Sequence, residues 1–188
     1  MVKKNACVFI SGKGSNLKNL LKRSRDYNFP VSIKLVVSNN PKAKGINIAK
    51  KYSIPYLIVN TKLRNCERSI YKNLKIYKIN IICLAGYMKI ISKNFLRLFK
   101  KNIINIHPSL LPKFKGLNTF KRILEEKEVK TGCTVHYVNE KLDGGKIISQ
   151  KSFYILSNFN EFDLKKKTQS LEYSAYPEAL IKIFRANF

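Results

Sequence analysis

No tryptophan occurs among the 188 residues, histidine occurs only twice, and 11 acidic residues stand against 37 Lys and Arg. The four cysteines (Cys7, Cys66, Cys83, Cys133) are far apart, form no C-x-x-C pair, and have only His107 and His136 for company. That set supports neither a zinc site nor a disulfide framework, so no metal is expected. No apolar stretch nears the roughly 18 residues that a membrane helix needs. The N-terminus turns from basic to apolar as a secretory leader does, yet the apolar part stops at Ser11-Gly12 with no small-x-small cleavage site after it. It reads as a first strand, and the expected location is the cytoplasm. Repeats, low-complexity linkers and composition breaks are also lacking, so residues 1–188 are expected to form a single domain.

The shortage of acid leaves a formal charge of +26. Such a charge is the usual footprint of a nucleic-acid or anionic-surface binder. Its make-up points elsewhere. Lysine supplies 30 of the cations and arginine 7, and lysine accompanies abundant Asn and Ile, which share A/T-rich codons. The bidentate arginine fork that phosphate clamps and base readers favour is scarce. The lysines run along the whole chain instead of gathering in a tail. The reading is a solvated lysine surface with non-specific binding to RNA or DNA at low salt. No specific nucleic-acid partner and no membrane are expected. With 45% apolar residues the chain builds a core, which excludes a disordered protein.

Apolar runs alternate with helical patterns from the start. Residues 6–11 (ACVFIS), 32–37 (SIKLVV), 55–59 (PYLIV), 81–85 (IICLA) and 103–107 (IINIH) read as strands. Helical spacing marks residues 17–25, 45–52, 68–77, 92–100 with Ser92 as N-cap, and 119–126. Two further strands (131–138 and 146–154) and a last helix (161 to about 184) complete the chain. This alternation predicts an α/β fold with a doubly wound, mostly parallel sheet flanked by helices. In such sheets ligands bind beyond the carboxyl ends of strands, which directs attention to residues 11–16, 86–91 and 107 onward.

Ser11-Gly12-Lys13-Gly14-Ser15-Asn16-Leu17 joins the first strand to the first helix. It is no Walker A loop, and Leu17 stands where a dinucleotide fingerprint needs its third glycine. Ser38-Asn39-Asn40 offers no acid for a ribose diol, so a dinucleotide is disfavoured and a phosphate monoester on Gly14, Ser15 and Asn16 fits better. A glycine turn with Ser15 or Asn16 capping the helix explains the same residues. In Asn105-Ile106-His107-Pro108-Ser109-Leu110-Leu111-Pro112, Asn105 and His107 lie two apart at a strand end and point to one side. An amide donor beside an imidazole can stabilise an oxyanion and supply a proton. A histidine that only makes structural hydrogen bonds is the alternative. Leu142-Asp143-Gly144-Gly145 places a carboxylate on a turn; reaching His107, it would favour the imidazolium and raise the histidine pKa. An ordinary Asp-Gly hairpin is the alternative there.

Together with Ile10-Ser11-Gly12-x-Gly14-Ser15-Asn16-Leu17, Leu84-Ala85-Gly86-Tyr87-Met88, Glu172 and Tyr176-Pro177, these segments resemble the glycinamide ribonucleotide formyltransferase family over nearly the whole chain. The Asn-x-His-x-Ser-Leu-Leu-Pro run marks the wider formyltransferase superfamily, whose fold is Rossmann-like, and Gly-Ser-Asn near the start narrows it to this branch. The resemblance implies a cytoplasmic transferase of de novo purine biosynthesis that moves the formyl group of 10-formyltetrahydrofolate, a co-substrate, to the amine of glycinamide ribonucleotide, without a metal. It implies a tetrahedral intermediate held by Asn105 and by protonated His107, with Asp143 keeping that ring protonated and relaying protons through water. It further assigns Gly14, Ser15, Asn16, Gln169 and Glu172 to the ribonucleotide, and Arg68, Met88, Lys89, Ile90, Ile91 and Asn105 to the folate. Arg64 lies four residues before Arg68 and competes for the folate role. A monomer or weak homodimer is expected.

Without the resemblance, Gln169 and Glu172 read as a solvated helix face, Met88, Ile90 and Ile91 as core packing, and His136 as a core histidine or a support for the site. Lys89 replaces a usual arginine, Lys115 a common proline, and Asn118 and Phe120 stand where similar enzymes often carry histidines. A 10-formyltetrahydrofolate hydrolase and a basic nucleic-acid-binding protein on the same fold are the competing readings.

Overall fold

Residues 7–10 are apolar without alternation and all four are fully buried, as in a parallel strand covered on both faces. They belong to β1 (Lys4–Ile10) of a computed structural model that describes residues 2–63 and 65–185. Arg64 therefore lies outside the described residues. The chain divides into two compact units, Met1–Ile104 and Asn105–Phe188.

In the first unit β1 is flanked by β2 (Val31–Ser38) and β4 (Ile81–Leu84), both parallel to it, and β3 (Tyr56–Ile58) pairs parallel with β2. A bulge between Ala6 and Cys7 shifts the register on β2, so that Ala6 faces Ile33 and Cys7 faces Leu35. Helices α1 (Ser15–Ser24), α2 (Gly45–Lys51), α3 (Cys66–Ile76) and α4 (Lys93–Phe99) follow β1 to β4 in turn. Helix α1 buries Leu17, Leu20 and Leu21 and exposes Lys18 and Lys22, the apolar stripe its sequence announces. Helix α4 starts as expected, with the Ser92 side chain accepting from the Phe95 N–H. From β1 the chain winds outward through β2 and β3 and then returns to β4 on the other side. The carboxyl ends of β1 and β4 thus form the switch point where this class of sheet binds ligands.

The second unit holds β6 (Lys130–Tyr137) and β7 (Ile147–Tyr154), an antiparallel pair, with α5 (Thr119–Glu125) and the 25-residue α6 (Glu161–Arg185). Helix α6 packs on β6, β7 and α5 and buries Leu164, Thr168, Ala175, Tyr176 and Leu180. The strand β5 (Asn102–His107) begins in the first unit and ends in the second, and the strand order is β3-β2-β1-β4-β5-β6-β7. The sheet is mostly parallel, as expected, with the β6–β7 hairpin as its antiparallel part. Among the described residues no helix is long and apolar enough to cross a membrane.

Candidate active site

Alternation along β5 buries Ile104 and Ile106 on one face and sends Asn105 and His107 to the other. His107 is 5% exposed. Its Nε2 lies 2.8 Å from the Phe114 carbonyl oxygen and its Nδ1 3.3 Å from Asp143 Oδ2. Asp143 sits at φ 45° on the connection between β6 and β7, in the left-handed region that Asp tolerates better than most residues. Gly145 is the fixed point of that connection, because a Cβ there would meet the Tyr137 carbonyl oxygen at 1.7 Å. The alternative of a two-residue Asp-Gly hairpin does not hold, since β6 ends at Tyr137 and β7 starts at Ile147. The Asp143 carboxylate also accepts from the Gly116 N–H at 2.8 Å, and its Oδ1 lies 3.5 Å from Asn105 Nδ2 and 3.6 Å from His136 Nε2.

His136 is 2% exposed and supports this group. Its Nδ1 donates to the Tyr137 carbonyl at 2.8 Å, and its Nε2 lies 3.3 Å from Asn105 Nδ2 and 3.6 Å from Asp143 Oδ1. The Asn105 amide nitrogen thus stands beside both His136 Nε2 and the Asp143 carboxylate. Its donation to Asp143 is long at 3.5 Å, so the amide can turn to an incoming oxyanion.

Both ring nitrogens of His107 face acceptors, so only the imidazolium satisfies both contacts. Burial nevertheless pulls its pKa below the ordinary 6.5, outweighing the Phe114 carbonyl and Asp143, which raise it; His136 and Arg122 add to the lowering. Asp143 raises the pKa as expected, but the net shift is downward. The carboxylate reaches the ring and acts in that sense, but desolvation is larger. The buried cation is a readier proton donor than a solvated histidine. Asp143 itself is pushed up by burial but pulled further down by His136, the Gly116 N–H and His107, and ends below 3.8.

Both groups bind protons less readily when folded, so stability is present above the unfolded pKa values and lost as pH falls through the folded ones. The histidine contribution fades below 6.5 and the carboxylate contribution below 3.8. Urea midpoints should therefore fall between about pH 7.5 and about pH 5, and fall less in His107→Gln. A midpoint that rises on acidification would contradict this assignment.

In the first unit Ser11 ties three loops together. Its Oγ accepts from the Met88 N–H at 2.8 Å and donates to Asn39 Oδ1 at 2.5 Å, while its backbone N–H donates to the Gly86 carbonyl at 3.1 Å and the Ser11 carbonyl accepts from Asn40 Nδ2 at 3.0 Å. Gly14 is the N-cap of α1 at φ 74°, and a Cβ there would lie 2.6 Å from Gly45 Cα. The cap position thus falls on Gly14, one residue before Ser15, and makes no side-chain cap. Met88 and Ile90 are 63% and 80% exposed, so core packing does not explain them. Lys89 is exposed and Ile91 half-buried on the same strip, which Tyr87 anchors edge-on to Phe9 at 5.2 Å between ring centres. Arg68 is exposed on α3. In the second unit Gln169 and Glu172 are half-buried on α6 rather than on a solvated face, and Glu172 helps push the buried Cys133 thiol up to about 12, after burial itself. Among the described residues no three His, Cys, Asp or Glu side chains gather as a metal site.

The formyl transferase family matches residues 4–180. The phosphoribosylglycinamide formyltransferase of Haemophilus influenzae is 38% identical over 178 residues, 93% of this chain and 84% of its own. The crystal structure of phosphoribosylglycinamide formyltransferase from Brucella melitensis superposes with a TM-score of 0.92 at 34% identity, over 100% of this chain and 98% of that one. The chain belongs to the phosphoribosylglycinamide formyltransferase family. The trifunctional purine biosynthetic protein adenosine-3 of Drosophila melanogaster is 40% identical over 185 residues, 95% of this chain, and the chain spans 14% of that protein's length.

Where this family member departs from the expected pattern, the structure gives the new residues other work. Asn118 is the N-cap of α5 at φ 54° and makes no side-chain cap. Phe120 packs on the cluster of Phe114, Ile123 and Leu164, so position 120 supplies apolar contact where an imidazole is usual. The sequence reading also left out Phe114, Gly116 and Ser11. The first two act through backbone groups, which leave no trace in residue type. Ser11 was legible only as part of a loop.

Proposed function

We propose that this chain, residues 1–188 acting as one formyltransferase domain, transfers the formyl group of 10-formyltetrahydrofolate to the amine of glycinamide ribonucleotide in purine synthesis. Family membership supports the reaction. The observation that carries the mechanism is the buried His107 held between the Phe114 carbonyl and Asp143, with Asn105 beside it.

The folate supplies a formyl carbon already activated by the folate nitrogen that carries it. The substrate amine forms a C–N bond to that carbon, the carbonyl electrons move to oxygen, and collapse breaks the bond to the folate nitrogen, which takes up a proton. Asn105 donates from its amide nitrogen to the oxyanion. His107 uses Nε2 as its anchor on Phe114, where the contact is short, and Nδ1, whose contact with Asp143 is long at 3.3 Å, as the donor to the oxyanion and the leaving nitrogen. Asp143 stays ionised through neutral pH, favours the charged ring, and passes the amine's proton on through water. Gly14, Ser15 and Asn16, at the start of α1, hold the phosphate, and Gln169 and Glu172 hold the glycinamide end. The exposed strip from Met88 to Ile91 receives the flat pterin through its backbone and apolar side chains, and Arg68 serves the folate.

The test is tetrahydrofolate release by the purified chain with and without the ribonucleotide. Release should depend on the ribonucleotide. Equal release without it would mean that water is the acceptor and would overturn the transferase reading.

A further inference from the structure

Helix α5 carries a cation that the mechanism above does not use. We propose that Arg122 is a positioning residue for His107, clamping the 114–116 loop so that the Phe114 carbonyl stays on Nε2 and Nδ1 is left for the reaction. This rests on the reading that His107 does the chemistry.

The contacts form one chain. Arg122 Nη1 donates to the Lys115 carbonyl at 2.8 Å, and its guanidinium stands 5.5 Å from the centre of the Phe114 ring. One arginine thus holds the loop by its backbone and by the aromatic side chain next to it. The gripped peptide group, which carries the Gly116 N–H, and the one before it, which carries the Phe114 carbonyl, are the two that touch the site. The Phe114 carbonyl accepts from His107 Nε2 at 2.8 Å, and the Gly116 N–H donates to Asp143 Oδ2 at 2.8 Å. The loop needs holding, because Phe114 lies at φ 57° and Gly116 at φ 80°. A bulky residue in the left-handed region is an outlier, and such backbone persists where its surroundings over-determine it. Phe114 is buried against Ile123 and Leu164 on one side, and Arg122 covers it on another.

Lysine cannot replace this clamp. A planar guanidinium stacks on a ring and donates in its own plane at the same time, whereas an ammonium is a point charge. The same difference separates the clamp from the bare charge. The charged and titratable groups that act on His107 are Asp143 from the β6–β7 connection, His136 from β6 and Arg122 from α5. The positive charge of Arg122 opposes the imidazolium, while the carbonyl it positions favours it. Arg122→Lys keeps the charge and loses the clamp; Arg122→Met loses both.

With only two histidines in the chain, ring ¹⁵N signals of His107 are readily assigned against His107→Gln and followed with pH. In Arg122→Lys the His107 midpoint should move down and the Nε2 signal should lose its hydrogen-bond shift. The kcat should fall about tenfold with both KM values little changed, since a displacement of about 1 Å at a catalytic group costs up to about 10²-fold. If Arg122→Lys titrates as the parent does and only Arg122→Met moves, upward, then Arg122 acts as a charge and the clamp is wrong. Moved ring signals in a protein that transfers no formyl group would keep the clamp and reject the transferase reading, so the two failures are distinguishable.

Discussion

His107→Ala lowers kcat by at least about 10²-fold, the scale of a lost general acid. The loss should be larger in kcat than in either KM, because the ring is placed to meet charge that exists only in the transition state. The substitution also removes the partner of the Phe114 carbonyl and the ring facing Asp143, in a place where the side chain is 5% exposed. A stability cost of about 1–3 kcal/mol follows from leaving such groups unpaired. His107→Gln restores a donor and much of the volume, so it keeps the fold while lacking a titrating ring, and it should be nearly as slow. Steady-state rates with urea midpoints for both variants check this. A folded His107→Gln with the parent rate would remove His107 from the mechanism.

The second large effect is expected at Asp143. Its carboxylate gathers the Gly116 N–H, His107 Nδ1, His136 Nε2 and Asn105 Nδ2. Asp143→Asn keeps the shape and removes the charge. An amide nitrogen turned toward His107 would donate to Nδ1 and fix the neutral ring with its proton on Nε2, the reverse of what the reaction needs. Loss of about 10³–10⁴ in kcat follows, as for other carboxylates that set the state of a catalytic histidine. The His107 midpoint should fall as well, because the group that raises it is gone. A variant that keeps its rate, or whose His107 titrates higher, would show that the carboxylate only shapes the turn.

How far the sequence carries depends on the kind of contact. Period-two alternation over residues 103–107 puts Asn105 and His107 on one face, and the structure keeps them there. Ser92 was legible as an N-cap because the cap is a side-chain property. At α1 the same rule pointed to Ser15 or Asn16, yet the cap is Gly14, whose positive φ and close approach to Gly45 decide where the helix begins. Met88 and Ile90 are apolar but exposed, which hydropathy alone assigns to the core. Gln169 and Glu172 are polar and yet half-buried, because the neighbours of α6 and not its composition set its burial. Asp143 raises the His107 pKa as expected, yet the net shift is downward for a similar reason. A sequence shows a carboxylate partner, but not how much water a fold removes. The arginine on α5 had no motif around it, and its contacts to Lys115 and Phe114 exist only once the loop is folded.

The central claim is that one carbon passes directly from folate to the ribonucleotide amine. The measurement that tests it most directly is a reaction with 10-[¹³C]formyltetrahydrofolate and glycinamide ribonucleotide, followed by NMR and mass spectrometry of the products. The account predicts one labelled formamide on the ribonucleotide for each tetrahydrofolate released, with both signals lost together in Asp143→Asn. Labelled formate with an unmodified ribonucleotide would contradict it.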